Sequence, residues 1–453
     1  MVITFAPASS RPQGDLLPLP QQLLRLDISR LRAYRENLEF YQGRQWQEHQ
    51  RRRERRLTFN YAKAVIEKTA SYALSGVSFV VDPEDSSPEA LERARRAERA
   101  LREVYEANAL DQLDFENEID CSILGDVAYK VTWDPAEKRV RVSAPDVQGL
   151  YAWWLGDDPS RVWRVASRYV LSHEEAEMLF GPLPRSRRSE HTVMEAWTDA
   201  DFHIWLDGAL WEERANPYGL IPFVIYPNLR EPKQFWGVSD LAALKEPLRE
   251  LNRAISQLSM ILELSGNPIA VLENVTEARD IAVQPGAVWE IPEKAKAYLL
   301  DLLQGGGVSL HVDYANLVLR TLHDLAEVPR SAFGETRQAL SGVALQMELD
   351  PLLKKVQRKR LIRAAAFRRR NEMILRILEQ YREESFAPYR SRVVWGPVLP
   401  QDRSRLAEDE ARLVAAGIHS RRTAAGLLDV ADPDTEWQRW QEEAQFEKEG
   451  GKP

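Results

Sequence analysis

Side chains that titrate, ligate metals or attack substrates are few in this sequence and do not converge. The seven histidines are scattered. His311 and His323 fall on one predicted helix but lie twelve positions apart, too far to share a metal. The single Cys121 excludes an intrachain disulfide framework and any multi-cysteine metal site. Its apolar setting, Ile119 to Gly125, reads as core rather than nucleophile. No HExxH, GxSxG or Cys–His arrangement of catalytic type occurs. No paired Asp/Glu cluster stands in a glycine-bounded strand-end context. Gly305-Gly306-Gly307 precedes a helix, but neither the lysine nor the spaced second glycine of GxxxxGK[ST] follows, so it reads as a flexible joint. We therefore expect no metal, no cofactor and no enzymatic activity. What remains is positive charge. Lys354, Lys355, Arg358, Lys359 and Arg360 open the dense stretch Lys354–Arg370 and are phosphate-facing candidates by composition, with a solvated or inter-subunit face equally open. Arg51–Arg56 reads as a solvated helix face, with phosphate contact as its alternative.

The totals limit what such a patch does. A net charge of −8 argues against a tight nucleic-acid binder, since phosphate neutralisation dominates that affinity. It leaves room for a protein that lets DNA pass without holding it. At 453 residues the chain accommodates two to four domains. No apolar run approaches the roughly 20 residues that cross a bilayer, so no membrane is expected, and the first residues lack the pattern of a signal peptide. Abundant arginine and proline fit a thermophilic source.

The elements suggest an α+β fold with long helices and a β-rich middle. Residues 1–19, rich in Pro, Ser and Gly, read as a disordered arm. Leu23, Leu24, Ile28, Leu31, Tyr34 and Leu38 give one helix, and Asn60–Leu74 a second, ended by Gly76. Val77–Val81 is a short strand. Glu89–Ala107 and Phe115–Leu124 are helices, and Val127–Trp133 pairs with Arg139–Val142. From Tyr151 to Tyr226 the chain reads as antiparallel β, with Trp153, Trp154, Trp163, Trp197, Trp205 and Trp211 as core and an Asp207-Gly208 hairpin turn.

Leu241, Leu244, Leu248, Leu251, Ile255, Leu258 and Leu262 step by three and four, a heptad-like seam on a helix about 33 Å long. Pro247 is expected to kink its first turns. Asn267–Leu303 then reads as a compact insert: strand Ile269–Leu272, helix Val275–Ile281, a turn at Pro285-Gly286 and strand Ala287–Ile291. A returning helix, Val308–Val328, is broken at Pro329. Small and polar residues through Gly342 make an irregular loop, and a long basic helix runs from Ser341 to about Arg382. Strand Ser391–Trp395 and short helices Arg403–Ala416, Arg421–Leu428 and Asp434–Phe446 complete the chain. The pattern is a stalk with a tip, and a loop held on two rigid arms.

Three stretches in this order resemble the portal (head-to-tail connector) proteins of tailed double-stranded DNA bacteriophages, typified by those of Bacillus siphoviruses. They are Tyr41-x-Gly43 with Asn60, Lys63, Val65-Ile66, Tyr72 and Gly76; Gly237-Val238-Ser239-Asp240 with Asn252 and Asn267-Pro268; and Val328-Pro329 with Phe333 and Ser341 to Leu345. The arginine-rich, single-cysteine character is similar to the version from long-tailed Thermus phages. The resemblance implies a portal-like fold and a homo-oligomeric ring, usually of twelve subunits, around a DNA channel in the virion. It divides the chain into a wing (20–238 and 342–400), stem helices (239–266 and 305–327), a clip (267–304), a tunnel loop (328–341) and a short crown (401–453). The implied partners are double-stranded DNA, the large terminase, the major capsid or scaffold protein, and head–tail adaptors. Leu325 and Val328, with Pro329, Arg330, Phe333, Gly334, Glu335, Thr336 and Arg337, are the expected channel-lining set. The leucine seam is the expected subunit packing surface. A non-conducting structural or adaptor ring is the alternative.

Overall fold

A computed structural model describes residues 19–23, 26–46, 56–183, 189–266, 269–273, 296–300, 307–335, 342–399 and 403–428, with a few positions to 441. Expectations for the arm 1–18, for Arg51–Arg55, for 274–295, for Gly305-Gly306, for 336–341 and for most of Asp434–Pro453 lie outside these residues.

The first predicted helix is two, α1 (Leu19–Leu23) and α2 (Ile28–Tyr41), broken where Asp27 takes a left-handed φ of 56°. In α3 (Tyr61–Ala73) the Asn60 side chain accepts the Lys63 N–H and satisfies one of the orphan donors of the first turn. Strand β1 (Val77–Val81) follows. Helix α4 (Pro88–Ala107) starts with Ser87 as cap and Pro88 in the first turn, where its missing N–H costs no hydrogen bond. Helix α5 (Leu110–Leu124) ends on Gly125 at φ 108°. A Cβ there would stand 2.9 Å from the Ser239 nitrogen, so only glycine lets the two segments approach.

Strands β2 (Asp126–Asp134) and β3 (Arg139–Ser143) pair antiparallel as their alternation predicts. The β-rich middle is one antiparallel sheet in sequence order: β4 (Leu150–Leu155), β5 (Asp158–Ser172), β6 (Glu190–Trp197), β7 (Asp201–Leu206) and β8 (Ala209–Ala215). Asp207 and Gly208 both take positive φ in the β7–β8 turn, as the Asp-Gly signal requires. Between β5 and β6 the chain forms a helix that periodicity did not disclose, α6 (His173–Phe180), begun by a Ser172–Glu175 capping box. The tryptophans do not form one core. Trp197 is buried, Trp153, Trp154, Trp163 and Trp205 are half-buried, and Trp211 is exposed on edge strand β8. Strand β9 (Phe223–Pro227) returns to pair with β2, and β10 (Leu229–Arg230) pairs with β11 (Gly237–Val238).

The leucine-stepped segment becomes helical only at Lys245, in α7 (Lys245–Gly266); Leu241 and Leu244 sit in the preceding turn. Pro247 therefore falls in the first turn, where no intrahelical donor is needed, and gives no reason for a kink. Strands β12 (Ile269–Glu273) and β13 (Lys296–Leu300) pair antiparallel at the tip. The strand expected at Ala287–Ile291 lies outside the described residues; the partner of the first strand is Lys296–Leu300. This pairing brings the end of α7 beside the start of α8 (Gly307–Ala326), so the two helices run antiparallel. Helix α9 (Gly342–Arg382), 41 residues and about 60 Å long, tolerates Pro351 near its start. Strand β14 (Ser391–Trp395) pairs with β1, and α10 (Arg403–Ala415) and α11 (Arg421–Leu427) close the described chain.

Two cores share α9 as their spine. Its first half gives Leu349, Leu352 and Val356 to a core with α3, the five-stranded sheet and the roots of α7 and α8. Its second half gives Phe367, Ile374 and Leu378 to a core with α4, α5 and β2–β3–β9.

Candidate functional site

Where the two cores meet, α9 places Lys355, Lys359 and Arg363 at i, i+4 and i+8, on one face. All three are buried. Lys359 lies 2.7 Å from Asp240, just before α7, and 3.4 Å from Glu118 of α5. Its ammonium also donates to the Ser122 hydroxyl at 2.7 Å. Arg363 grips Glu118 through two N–H groups, at 2.7 and 2.9 Å, and donates to the Asn228 carbonyl and side-chain oxygens. Lys355 donates to the Ala326 carbonyl at 3.0 Å and stands 3.5 Å from Asp240. A cation at the last carbonyls of α8 also meets the negative end of the helix dipole. Arg358, exposed, adds bonds at 2.6 Å to both oxygens of Glu327, which sits at φ 54° as the chain leaves α8. One face of α9 thus holds both roots of the α7–α8 hairpin.

Burial would raise the carboxyls of Asp240 and Glu118. The neighbouring cations outweigh it, Lys355 and Lys359 at Asp240 and Arg363 and Lys359 at Glu118, and hold both below the ordinary carboxylate range. Burial also lowers Lys355, against the pull of Asp240. Farther along α9, Arg370 pairs with Asp114 and donates to the Tyr105 hydroxyl. Cys121 is buried against Arg363, and burial pushes its thiol up, as expected for a core cysteine.

This corrects the phosphate-facing set. Lys355 and Lys359 are inside the subunit among carboxylates. Arg360 is also buried, and donates to the carbonyls of Tyr72, Ala73, Ser75 and Gly396, which ends α3 and ties it to the turn after β14. Only Lys354 and Arg358 of the five are exposed. A pattern for the buried cations is present in the sequence. Lys359, Arg363 and Arg370 fall on the same three-and-four stripe as Leu349, Leu352, Val356, Phe367 and Ile374. Their partners Asp240, Glu118, Asn228 and Asp114 carried no comparable periodic signal.

The leucine seam divides. Leu241, Leu244, Leu248 and Leu251 are buried within the subunit, Ile255 and Leu258 are half-buried, and Leu262 is exposed. The loop after α8 is likewise more ordered than expected near its root. Val328, the proposed constriction residue, is 0% exposed. Its N–H donates to the His323 carbonyl, its own carbonyl accepts from His323 Nδ1 at 2.8 Å, and its side chain joins the first core. It cannot line a channel in this conformation. Pro329 is half-buried, and Arg330–Phe333 form one 3-10 turn ended by Gly334 at φ 88°. Arg330 pairs with Glu335 at 2.5 Å. Phe333 packs its ring against His323 and lies under the Lys68 ammonium. Leu325 is exposed on α8, while Thr336 and Arg337 lie outside the described residues.

Buried charge thus fixes the root of a helix hairpin and the start of the following loop against both cores of the subunit. The family model described as phage portal protein, SPP1 Gp6-like, matches residues 22–450, and the chain belongs to that family. A search among curated proteins finds no match. Membership makes this a phage portal protein, a structural component of the virion at the capsid vertex. No helix among the described residues is long and apolar enough to cross a membrane.

Proposed function

We propose that about twelve copies of this chain close into a ring whose axial channel carries the genome during packaging and ejection. The α7–α8 hairpin is the stem, the β12–β13 tip belongs to the clip that meets the large terminase and later the head–tail adaptors, and the segment from Pro329 to 341 is the tunnel loop. The wing edge faces the capsid or scaffold protein. The observation that carries the reading is the two-part character of the hairpin. Its root is packed and charge-clamped, whereas its outer part presents Met260, Leu262, Leu310 and Leu317 to solvent, the last two 70% and 58% exposed. Apolar surface of this extent on a rigid stalk needs cover, and neighbouring copies supply it in a ring. Lys354 and Arg358 are the exposed cations of α9 nearest the loop, few enough for DNA to slide without lasting phosphate bonds.

The test is the mass of the purified assembly with electron-microscope images of the same sample. A closed ring with an axial hole is expected, and Leu310→Asp with Leu317→Asp should reduce it to subunits that keep their helical content. A compact dimer, or a ring unaffected by both substitutions, refutes the reading.

A further inference from the structure

The five-stranded sheet carries a projection at one end and a groove at the other. The projection is α6. Its first turn bears Glu174 and Glu175, and one turn on, at i+4, stand Met178 and Leu179, 85% and 64% exposed. Carboxylates and apolar side chains therefore share a face. Phe180 extends the apolar surface onto exposed Trp211, ring centroids 5.7 Å apart.

The groove, about 520 Å³, lies between β9 and the middle of α9. Val162, Ile362 and Leu361, the last 75% exposed, give it an apolar lining. Arg230 and Arg369, both exposed, also line it, and neither has an ion-pair partner among the described residues. The nearby Asp158 carboxylate is taken up by the N–H and hydroxyl of Ser160.

We propose that α6 of one subunit seats in this groove on the next copy, Met178 and Leu179 entering between β9 and α9 while Glu174 meets the edge formed by Arg230 and Arg369. Strand β5 fixes the geometry. Pro159 and Ser160 at its start line the groove, and Ser172 at its end caps α6. Pro159, Val162 and Val165, which line the groove, precede Ser172 by 13, 10 and 7 residues, roughly 23 to 43 Å along the strand, so one chain does not satisfy both. Pairing α6 with α6 across a two-fold axis would oppose carboxylates with carboxylates. A projection entering a groove at the far end of the next copy is instead heterologous, and repeats head to tail until it closes. Opposite charges on the two surfaces set the register. The contact rests on the ring reading and names the surfaces that make it.

The experiment uses the full chain carrying Met178→Cys and Leu361→Cys, treated with a short bismaleimide; buried Cys121 leaves the unmodified chain as a silent control. Native mass spectrometry first records whether rings are present. The double variant should give a covalent ladder on a denaturing gel, and neither single variant should give one. Rings without a ladder overturn the contact and leave the ring reading standing. Monomers without a ladder overturn both, and dimers from Met178→Cys alone overturn the heterologous geometry. Independently, Glu174→Arg, which leaves the Ser172–Glu175 cap in place, should weaken assembly about tenfold or more, and adding Arg369→Glu should restore it. Failure of the reversed pair to restore assembly counts against the charge register.

Discussion

Replacing Asp240 with Asn should destabilise the subunit by about 3–5 kcal/mol, the usual cost of removing one partner from a buried ion pair. In the native cluster Lys355, Lys359 and Arg363 face Asp240 and Glu118, three positive charges against two negative, a net of +1. The substitution leaves three against one, a net of +2 with almost no solvent. Asp240 stands 2.7 Å from Lys359 and 3.5 Å from Lys355. At an effective dielectric of about 20 these attractions are worth about 6 and 5 kcal/mol before desolvation is counted. Lys355, whose charged form burial already disfavours, is the group that would give up its proton and limit the loss. Urea unfolding of the full chain at pH 7, followed by circular dichroism, measures the change. Adding Lys355→Met restores a net of +1 and should recover at least half of the lost stability. A loss below about 1 kcal/mol, the scale of an exposed pair, would refute the reasoning, as would no recovery in the double variant.

The pH dependence should reveal a second buried carboxyl. Burial pushes Asp126 up to about 6, against the bonds it accepts from the Tyr34 hydroxyl and the Gly237 N–H, whereas the unfolded value is about 3.9. A raised folded value means that the folded state holds the proton more tightly. The contribution is complete below about pH 4 and is lost as pH rises through about 6, about 3 kcal/mol in all. Asp126→Asn removes the titration, keeps the bond from the Gly237 N–H on its amide oxygen and makes the Tyr34 hydroxyl the acceptor of its NH2, and should flatten the urea midpoint between pH 4.5 and 7.5; an unchanged slope sinks the assignment. Asp240 and Glu118, with lowered values, act in the opposite sense and lose their contribution only as pH falls below the ordinary carboxylate range. Val328→Ala should cost about 2 kcal/mol of stability by opening a cavity, without changing ring assembly. A variant as stable as the wild type would show that Val328 is not packed as described.

Local pattern carried much of the fold. Asn60 before an apolar-periodic run marked the start of α3, alternation marked β2 and β3, and Asp207-Gly208 marked the β7–β8 turn, because each signal acts through a backbone preference within a few residues. Helix α6 escaped because eight residues span little more than two turns, too few for periodicity to stand out, although Ser172 and Glu175 carried the capping signature. The strand Lys296–Leu300 opposite Ile269–Glu273 was not legible, because antiparallel pairing depends on where the second strand lies in space.

The sequence by itself determined the stalk, the tip and the broken return at Pro329, since helix periodicity, chain reversal and proline's missing N–H are local physics. It also carried the ordered motifs that place the chain among phage portal proteins. Only the tertiary structure decided what the basic stretch of α9 does. A lysine on a helix reads alike whether it faces water, phosphate or carboxylate. The distinction lies in Asp240 and Glu118, some 120 and 240 residues upstream, which the packing of two cores brings within ion-pair distance of Lys359. The same packing closed around Val328 and removed it from any channel surface, because its burial depends on neighbours that no local window contains.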